Sequence, residues 1–312
     1  MMQTGESGLS RNPAIENNQM KGHRNTIFSE DAEIIEHQAY AGDQFIMRVH
    51  APLTAANAGP GSFVHLRCDD MLPMRRPLSI MRAHKKAGWI EFLYRIYGTG
   101  TGLLSARQPG DKINLLGPIG NHFSLHAEKS RPLLIGGGVG IPPMIFLADE
   151  IYTIKGKFEP LVLMGSETPF PFTPRPSQIM IPGLPDGVIA GMPLMEDWGI
   201  PSRLASLQGF AGCFDGYVTD LARIWLNALP KGQLTYVEIF ACGPHPMLEA
   251  VAALANEFAV PCQVSLEEFM ACAVGGCAGC TVQVETPAGP AMKRVCVDGP
   301  VFDAASVFHT PT

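Results

Sequence analysis

From Thr26 to about Gly120, apolar and polar residues alternate in short runs broken by turn residues. The runs are "EIIEHQAY", "QFIMRVHAP", "GSFVHLRC", "RPLSIMRA", "WIEFLYRIYG" and "DKINLLGPIG", rich in β-branched and aromatic residues. Six such runs, with Gly, Pro and Asp between them, predict a small antiparallel barrel. "GTGTGLLSA" interrupts them as a turn leading into a short helix. From Arg131 the period lengthens. "RPLLIGGG" reads as a strand and "PPMIFLADEIYTI" as a helix opened by proline, and "EPLVLMGS" follows as a further apolar run. "YVTDLARIWLNAL", "QLTYVEIFACG" and "PHPMLEAVAALANEFA" continue as helix, strand and helix. Such alternation predicts a parallel sheet with covering helices. The Pro-rich "ETPFPFTPRPSQIMIPGLPDG" predicts irregular chain, and "CTVQVE" and "AMKRVC" predict two short strands near the end. The fold class expected is therefore β + α/β. A polar leader over 1–25 reads as disordered, followed by an antiparallel β-barrel over 26–126, a parallel-sheet α/β domain over 127–262 and a small module over 263–312.

Composition narrows the picture. The 312 residues are 46% hydrophobic and 17% charged, a globular balance, and the net charge of −6 with no basic block excludes nucleic acid as a partner. The most apolar stretch, "PLLIGGGVGIPPMIFLADEI", is punctuated by glycines and prolines, so no membrane span is expected. The leader lacks the apolar core of a secretory signal, and the expected location is cytoplasmic.

Three of the eight cysteines stand at Cys272, Cys277 and Cys280, spaced C-x4-C-x2-C, and Cys296 follows. That triplet is the spacing of plant-type [2Fe–2S] ligands. Gly275, Gly276 and Gly279 let the main chain approach a small anionic cluster and donate N–H groups to sulfur. A zinc site remains the alternative, although only Cys277 and Cys280 form the C-x2-C knuckle that zinc sites use in pairs. Cys68, Cys213, Cys242 and Cys262 have no ligand spacing and read as small core residues.

"LLIGGGVGIPPM" places Gly136, Gly137, Gly138 and Gly140 between a strand and a helix, where main chain can approach a pyrophosphate. An ordinary tight turn is the competing reading. Glu167, at the end of the next apolar strand, fits a ribose hydroxyl and would repel a 2′-phosphate, which points to NAD over NADP; an exposed loop acid is equally consistent. Cys242 and Gly243 end a third strand and so border the same crevice, unless they form a simple turn. On the barrel, Arg76 with Pro77 and Ser79 fits a phosphate and a ring edge, and Tyr94 with Arg95 precedes a second glycine turn at Gly100 and Thr101. A surface arginine and a core tyrosine are the plainer readings of these two.

Taken together, "RPLS", "GTGT", "GGGVGIPPM" and "CGPHPML" resemble the ferredoxin-reductase superfamily. "SLEEFMACAVGGCAGCTV" followed by "RVCVDGPVF" is similar, more narrowly, to the electron transfer subunits of NAD-dependent dihydroorotate dehydrogenases. The resemblance covers roughly Thr26 to Phe308. It implies FAD in the barrel, contacted by Arg76, Pro77, Leu78, Ser79, Leu93, Tyr94, Arg95, Gly100 and Thr101. It also implies a parallel-sheet domain that binds NAD and one [2Fe–2S] cluster on Cys272, Cys277, Cys280 and Cys296. The implied partner is an FMN-containing catalytic subunit that oxidises dihydroorotate, in a heterotetramer with two of each subunit. Electrons would pass from that FMN through the cluster and FAD to NAD+. The leader, and a Pro-rich stretch from Thr168 to about Gly187, exceed what the family requires. The alternatives are the small subunit of a ferredoxin:NADP oxidoreductase, a glutamate-synthase-like reductase or a sulfhydrogenase, and, outside redox chemistry, a zinc-stabilised interaction module.

Overall fold

The computed structural model describes residues 26–308; the expected leader over 1–25 lies outside the described residues. The first six strands are β1 Phe28–Tyr40, β2 Gln44–His50, β3 Phe63–Leu66, β4 Arg76–His84, β5 Trp89–Arg95 and β6 Lys112–Ile119. They close into an antiparallel barrel in the order β1-β2-β5-β4-β3-β6. Alternation explains the closure. Ile34, Met47, Val64, Ile80, Phe92 and Leu115 point inward and are fully buried, while their chain neighbours face outward. Each such side chain contributes about 1.5–3 kcal/mol by leaving water. A short helix, α1 (Pro52–Asn57), plugs one end, and Glu30 of β1 accepts the N–H groups of Leu53 and Thr54 at its start, at 2.9 and 2.8 Å. A second, α2 (Thr99–Ser105), links β5 to β6.

The α/β region begins with β7 (Arg131–Gly137), α3 (Ile141–Ile154) and β8 (Leu161–Gly165). The Pro-rich stretch after β8 is mostly turn, as expected, apart from a two-residue ladder between β9 (Arg175–Pro176) and β10 (Ala190–Gly191). Then come α4 (Pro193–Asp197), β11 (Ser202–Ser206), β12 (Phe214–Asp215), α5 (Val218–Ala228), β13 (Val237–Cys242), α6 (His245–Glu257) and β14 (Cys262–Ser265). The strand β11 carries no apolar run and escapes a sequence reading. Its Arg203 is 4% exposed and donates to the carbonyls of Val188, Ser202 and Ile179 at 2.7–2.8 Å, which ties the Pro-rich stretch to the sheet.

The cysteine region forms the hairpin β15 (Thr281–Thr286) and β16 (Gly289–Arg294), followed by α7 (Val295–Asp298), β17 (Val301–Asp303) and α8 (Ala304–Val307). The large sheet runs β12-β11-β8-β7-β13-β14-β17 and is parallel except for β17, which pairs antiparallel with β14. The expected boundary at 262/263 thus falls inside β14. The cysteine segment is inserted between two neighbouring strands of the sheet rather than appended after it. The return of β17 covers an edge that β14 would otherwise leave unpaired.

Helix α3 lies between sheet and barrel, where Ile145 and Leu147 share a core with Met81 and Leu93 of the barrel's outer face. Asn121 closes a second junction through its amide, which bonds Val301 O and Val301 N at 2.9 Å each. No helix among the described residues is long and apolar enough to cross a membrane.

Candidate redox site: barrel cradle, strand-end crevice and cysteine loop

The two barrel motifs meet in space. Arg76 opens β4, and a Cβ placed on Gly100 at the start of α2 would lie 3.2 Å from its Nη2. Glycine at 100 therefore leaves room for the guanidinium. Arg76 donates to the carbonyls of Met74 and Arg75 at 3.0 and 3.1 Å, and Arg95 lies 5.6 Å over the Tyr97 ring. Among the described residues neither guanidinium is paired with a carboxylate. The start of α2 has no side-chain cap, and Thr101 Oγ1 is engaged with Tyr97 N at 2.9 Å. Two unpaired guanidinium groups beside a tight glycine turn suit a diphosphate. Pro77, Leu78 and Ser79 follow, half-buried. Tyr94 is turned into the barrel, stacked on Phe45 at 5.4 Å and bonded to His37 Nε2 at 2.8 Å. Leu93 packs against α3. Tyr94 therefore has only main chain to offer a ligand, whereas Leu93 also borders a cavity beside Met81 and Ile145.

In the sheet, the chain leaves β7 toward β8, β11 and β12, then crosses to β13 and β14 on the other side. The crevice between the ends of β7 and β13 is thus a switch point, where doubly wound sheets bind ligands. Gly137, Gly138 and Gly140 sit there, but for different reasons. A Cβ on Gly137 would be 2.4 Å from Met247 Sδ, and one on Gly140 would be 2.5 Å from Cys242 C and O. Those two glycines let the turn pack on β13 and α6. Gly138, at φ +54, faces open space. Pro142 and Pro143 remove two first-turn N–H donors from α3, and Ile141 N–H is spent on Gly138 O, so donors for an anion come from 138–140. Cys242 is fully buried, and burial, followed by the neighbouring Glu267, pushes its thiol well up. Its side chain does not reach the crevice. Gly243 lies under Met247, and Glu167 is exposed just beyond β8. Sequence reasoning passed over Met247 and Glu267. Glu267 stands just past the end of β14, beside Cys242, and desolvation raises its pKa. Its position after a strand end was the only signal for it.

The four candidate ligand cysteines lie in pairs. Cys280 Sγ and Cys296 Sγ are 3.3 Å apart and buried. Cys272 Sγ accepts the N–H of Cys277 at 3.4 Å, and Cys277 Sγ accepts that of Gly279 at 3.4 Å. Ala273, Gly275 and Ala278 have φ of 55, 86 and 55°, left-handed conformations that turn N–H groups inward. Burial raises the Cys272 pKa, but the N–H groups of Cys277, Val274 and Gly276 outweigh it and hold the thiol at about 6. Burial, then the adjoining Cys280, pushes Cys296 up to about 12. Two sulfur pairs with converging N–H donors fit an iron–sulfur cluster. Of the other four cysteines, Cys68, Cys242 and Cys262 are buried and Cys213 is half-buried.

Comparison with known proteins agrees with this geometry. Residues 267–308 match the model of the iron–sulfur cluster binding domain of dihydroorotate dehydrogenase B. The structure of the NADH-dependent reduced ferredoxin-NADP oxidoreductase superposes with a TM-score of 0.71 at 27% identity, covering 89% of this chain and 90% of that one. The ferredoxin reductase of carbazole 1,9a-dioxygenase shares the fold at a TM-score of 0.58 and 20% identity, over 75% and 67% of the two chains. The protein is thus an iron–sulfur oxidoreductase built on the ferredoxin-reductase architecture. The electron transfer subunit of dihydroorotate dehydrogenase B (NAD(+)) from Desulforamulus reducens is 34% identical over 280 residues, 89% of this chain and 97% of that one. The Bacillus caldolyticus subunit of the same name is 36% identical over 257 residues, 80% and 86% of the two chains. The chain belongs to this family of dihydroorotate dehydrogenase B electron transfer subunits.

Proposed function

We propose that the chain relays electrons from an FMN-containing, dihydroorotate-oxidising subunit through a [2Fe–2S] cluster and FAD to NAD+, as part of pyrimidine biosynthesis. The working assembly on this reading is a cytoplasmic heterotetramer with two of each subunit. The observation that carries it is the packing of the cysteine loop on the barrel. Phe63 of β3 shares a core with Cys280 and Cys296, and its register partner on β4 is Ser79. Strand β3 thus joins the core that holds the buried thiol pair to the strand that carries Arg76–Ser79. Close, fixed spacing is what a relay requires, because nicotinamide exchanges electrons in pairs, an iron–sulfur cluster singly, and a flavin either way.

Arg76 and Arg95 would hold the FAD diphosphate, with Gly100 and Thr101 at the start of α2 beside it. Pro77, Leu78 and Ser79 would border the ring, and Leu93 and Tyr94 would present main chain. Gly137, Gly138 and Gly140, with Cys242 and Gly243 through their main chain, would line the NAD crevice, and Glu167 would take a ribose hydroxyl. The pairing of Cys272 with Cys277 and of Cys280 with Cys296 supports two irons, each on two thiolates, and hence a [2Fe–2S] centre.

A second reading is a reductase subunit of a related complex, favoured by the superposition on the ferredoxin-NADP oxidoreductase. Anaerobic purification by a tag from the native cells separates the two. A co-purifying FMN subunit with dihydroorotate-dependent NAD+ reduction supports the first. A different partner and inactivity on dihydroorotate would move the relay to the second.

A further inference from the structure

Among the described residues, His65 is the one side chain whose polar atoms are all buried without a hydrogen bond. It is 1% exposed. Burying a polar group unpaired costs about 1–3 kcal/mol, so such a group calls for a reason. Its place supplies one. His65 lies on β3, opposite Pro77 of β4 and Leu116 of β6. Phe63, two residues earlier on the same face, belongs to the core that includes Met270, Cys280 and Cys296. The polar groups facing the imidazole are main-chain acceptors of Met270 and Arg75. Met270 precedes the first ligand cysteine by two residues, and Arg75 immediately precedes Arg76. The ring thus stands between the two backbone segments that carry the cysteine loop and the barrel cradle. Burial lowers its pKa, and the Arg75 and Arg76 charges add to this, so the imidazole is neutral, with one N–H to give. The Met270 and Arg75 main chain lies near enough to the ring to oppose that lowering.

We propose that His65 is a positioning residue for electron passage between flavin and cluster, holding the loop at Met270 against the barrel at β3. The inference rests on the relay reading above. Its chemistry is an outer-shell contact: it touches no sulfur and no substrate, but it sets the placement of a segment that does. Outer-shell contacts of metal sites are typically worth about 10–100-fold in activity or affinity.

The test uses the anaerobically purified complex with wild-type, His65→Leu and His65→Gln chains. Electrons enter as hydride from NADH, and stopped-flow absorbance separates flavin bleaching from cluster reduction, which proceeds one electron at a time. Cluster potential is followed by EPR-monitored titration, and iron, flavin and Tm are recorded for each variant. In His65→Leu, cluster reduction is expected to slow about tenfold or more relative to flavin bleaching, with a shifted cluster potential. His65→Gln, which keeps an N–H donor, should recover most of both. If His65→Leu does not accumulate, His65→Phe provides a donor-free ring in its place. Donor-free variants with the wild-type ratio and potential would overturn the proposal. So would a Gln variant as impaired as Leu with an equal fall in Tm, since that is the signature of packing alone. A wild-type complex without flavin or cluster absorbance would overturn the relay reading and this inference together.

Discussion

Alanine at Gly140 would place a Cβ 2.5 Å from Cys242 C and O and from Gly243 Cα. Non-bonded carbon contacts settle at about 3.5–4.0 Å, so the end of β13 and the turn after β7 must separate by about 1 Å. All three contacted atoms are main chain, and no rotamer can relieve them. Overpacking of this kind costs about 1–3 kcal/mol, and for a chain of this size each kcal/mol lowers Tm by about 2–4 °C. Gly140→Ala is therefore expected to melt roughly 2–12 °C lower. Gly138→Ala makes the contrast. Its added methyl meets nothing within 4 Å, and only the left-handed φ of +54 opposes it, at about 1–2 kcal/mol. That methyl would, however, stand in the open crevice proposed to take the NAD pyrophosphate. Its main effect should be on NADH, whose affinity is expected to fall about tenfold or more, or about 1.4 kcal/mol. Differential scanning calorimetry and an anaerobic NADH titration of flavin bleaching measure both quantities on both variants. Gly138→Ala binding NADH as tightly as the parent would refute the crevice assignment, and an unchanged Tm in Gly140→Ala would refute the packing argument.

Cys277→Ser should abolish the visible and EPR signature of the cluster and halt transfer to the partner, while NADH still bleaches the flavin; a retained cluster spectrum would remove Cys277 from the ligand set. Arg76→Ala should weaken FAD binding about 10–100-fold, the loss expected from one charge-assisted hydrogen-bonding group. Flavin content after gel filtration reads this directly, and cluster absorbance should persist. His126 Nδ1 lies 2.8 Å from the buried Glu238, and that hydrogen bond, then the carboxylate's charge, raises the His126 pKa. A raised imidazole pKa stabilises the fold fully below the unfolded value of about 6.5 and ceases to do so as pH rises through the folded value. Stability measured from pH 6 upward should therefore decline in the parent with a component that His126→Gln lacks. Parallel pH profiles for the two proteins would exclude the contact as its source.

Much of this molecule is legible along the chain. The six barrel strands, the helices α3, α5 and α6 and the C-x4-C-x2-C triplet follow from local rules. Side chains alternate on a strand and recur by turns on a helix, and a cluster loop needs small residues between its thiols. The strand β11 was not legible, because its buried Arg203 depends on the carbonyls of Ile179 and Val188, in and just after a Pro-rich stretch that the chain brings in from elsewhere. Nor was the return of β17 to the edge of β14, which turns an expected tail into an insertion within the sheet. The sequence supplied Arg76 and Gly100 as separate motifs, and Cys280 and Cys296 as a spacing; only barrel closure and the fold of the loop put the members of each pair in contact. His65 carried no signal at all, since an imidazole inside a strand looks the same whether it faces water or a neighbouring loop. Periodicity is a property of consecutive residues and can be read from them. Contact between distant residues depends on which strand pairs with which, and the tertiary structure alone decides that.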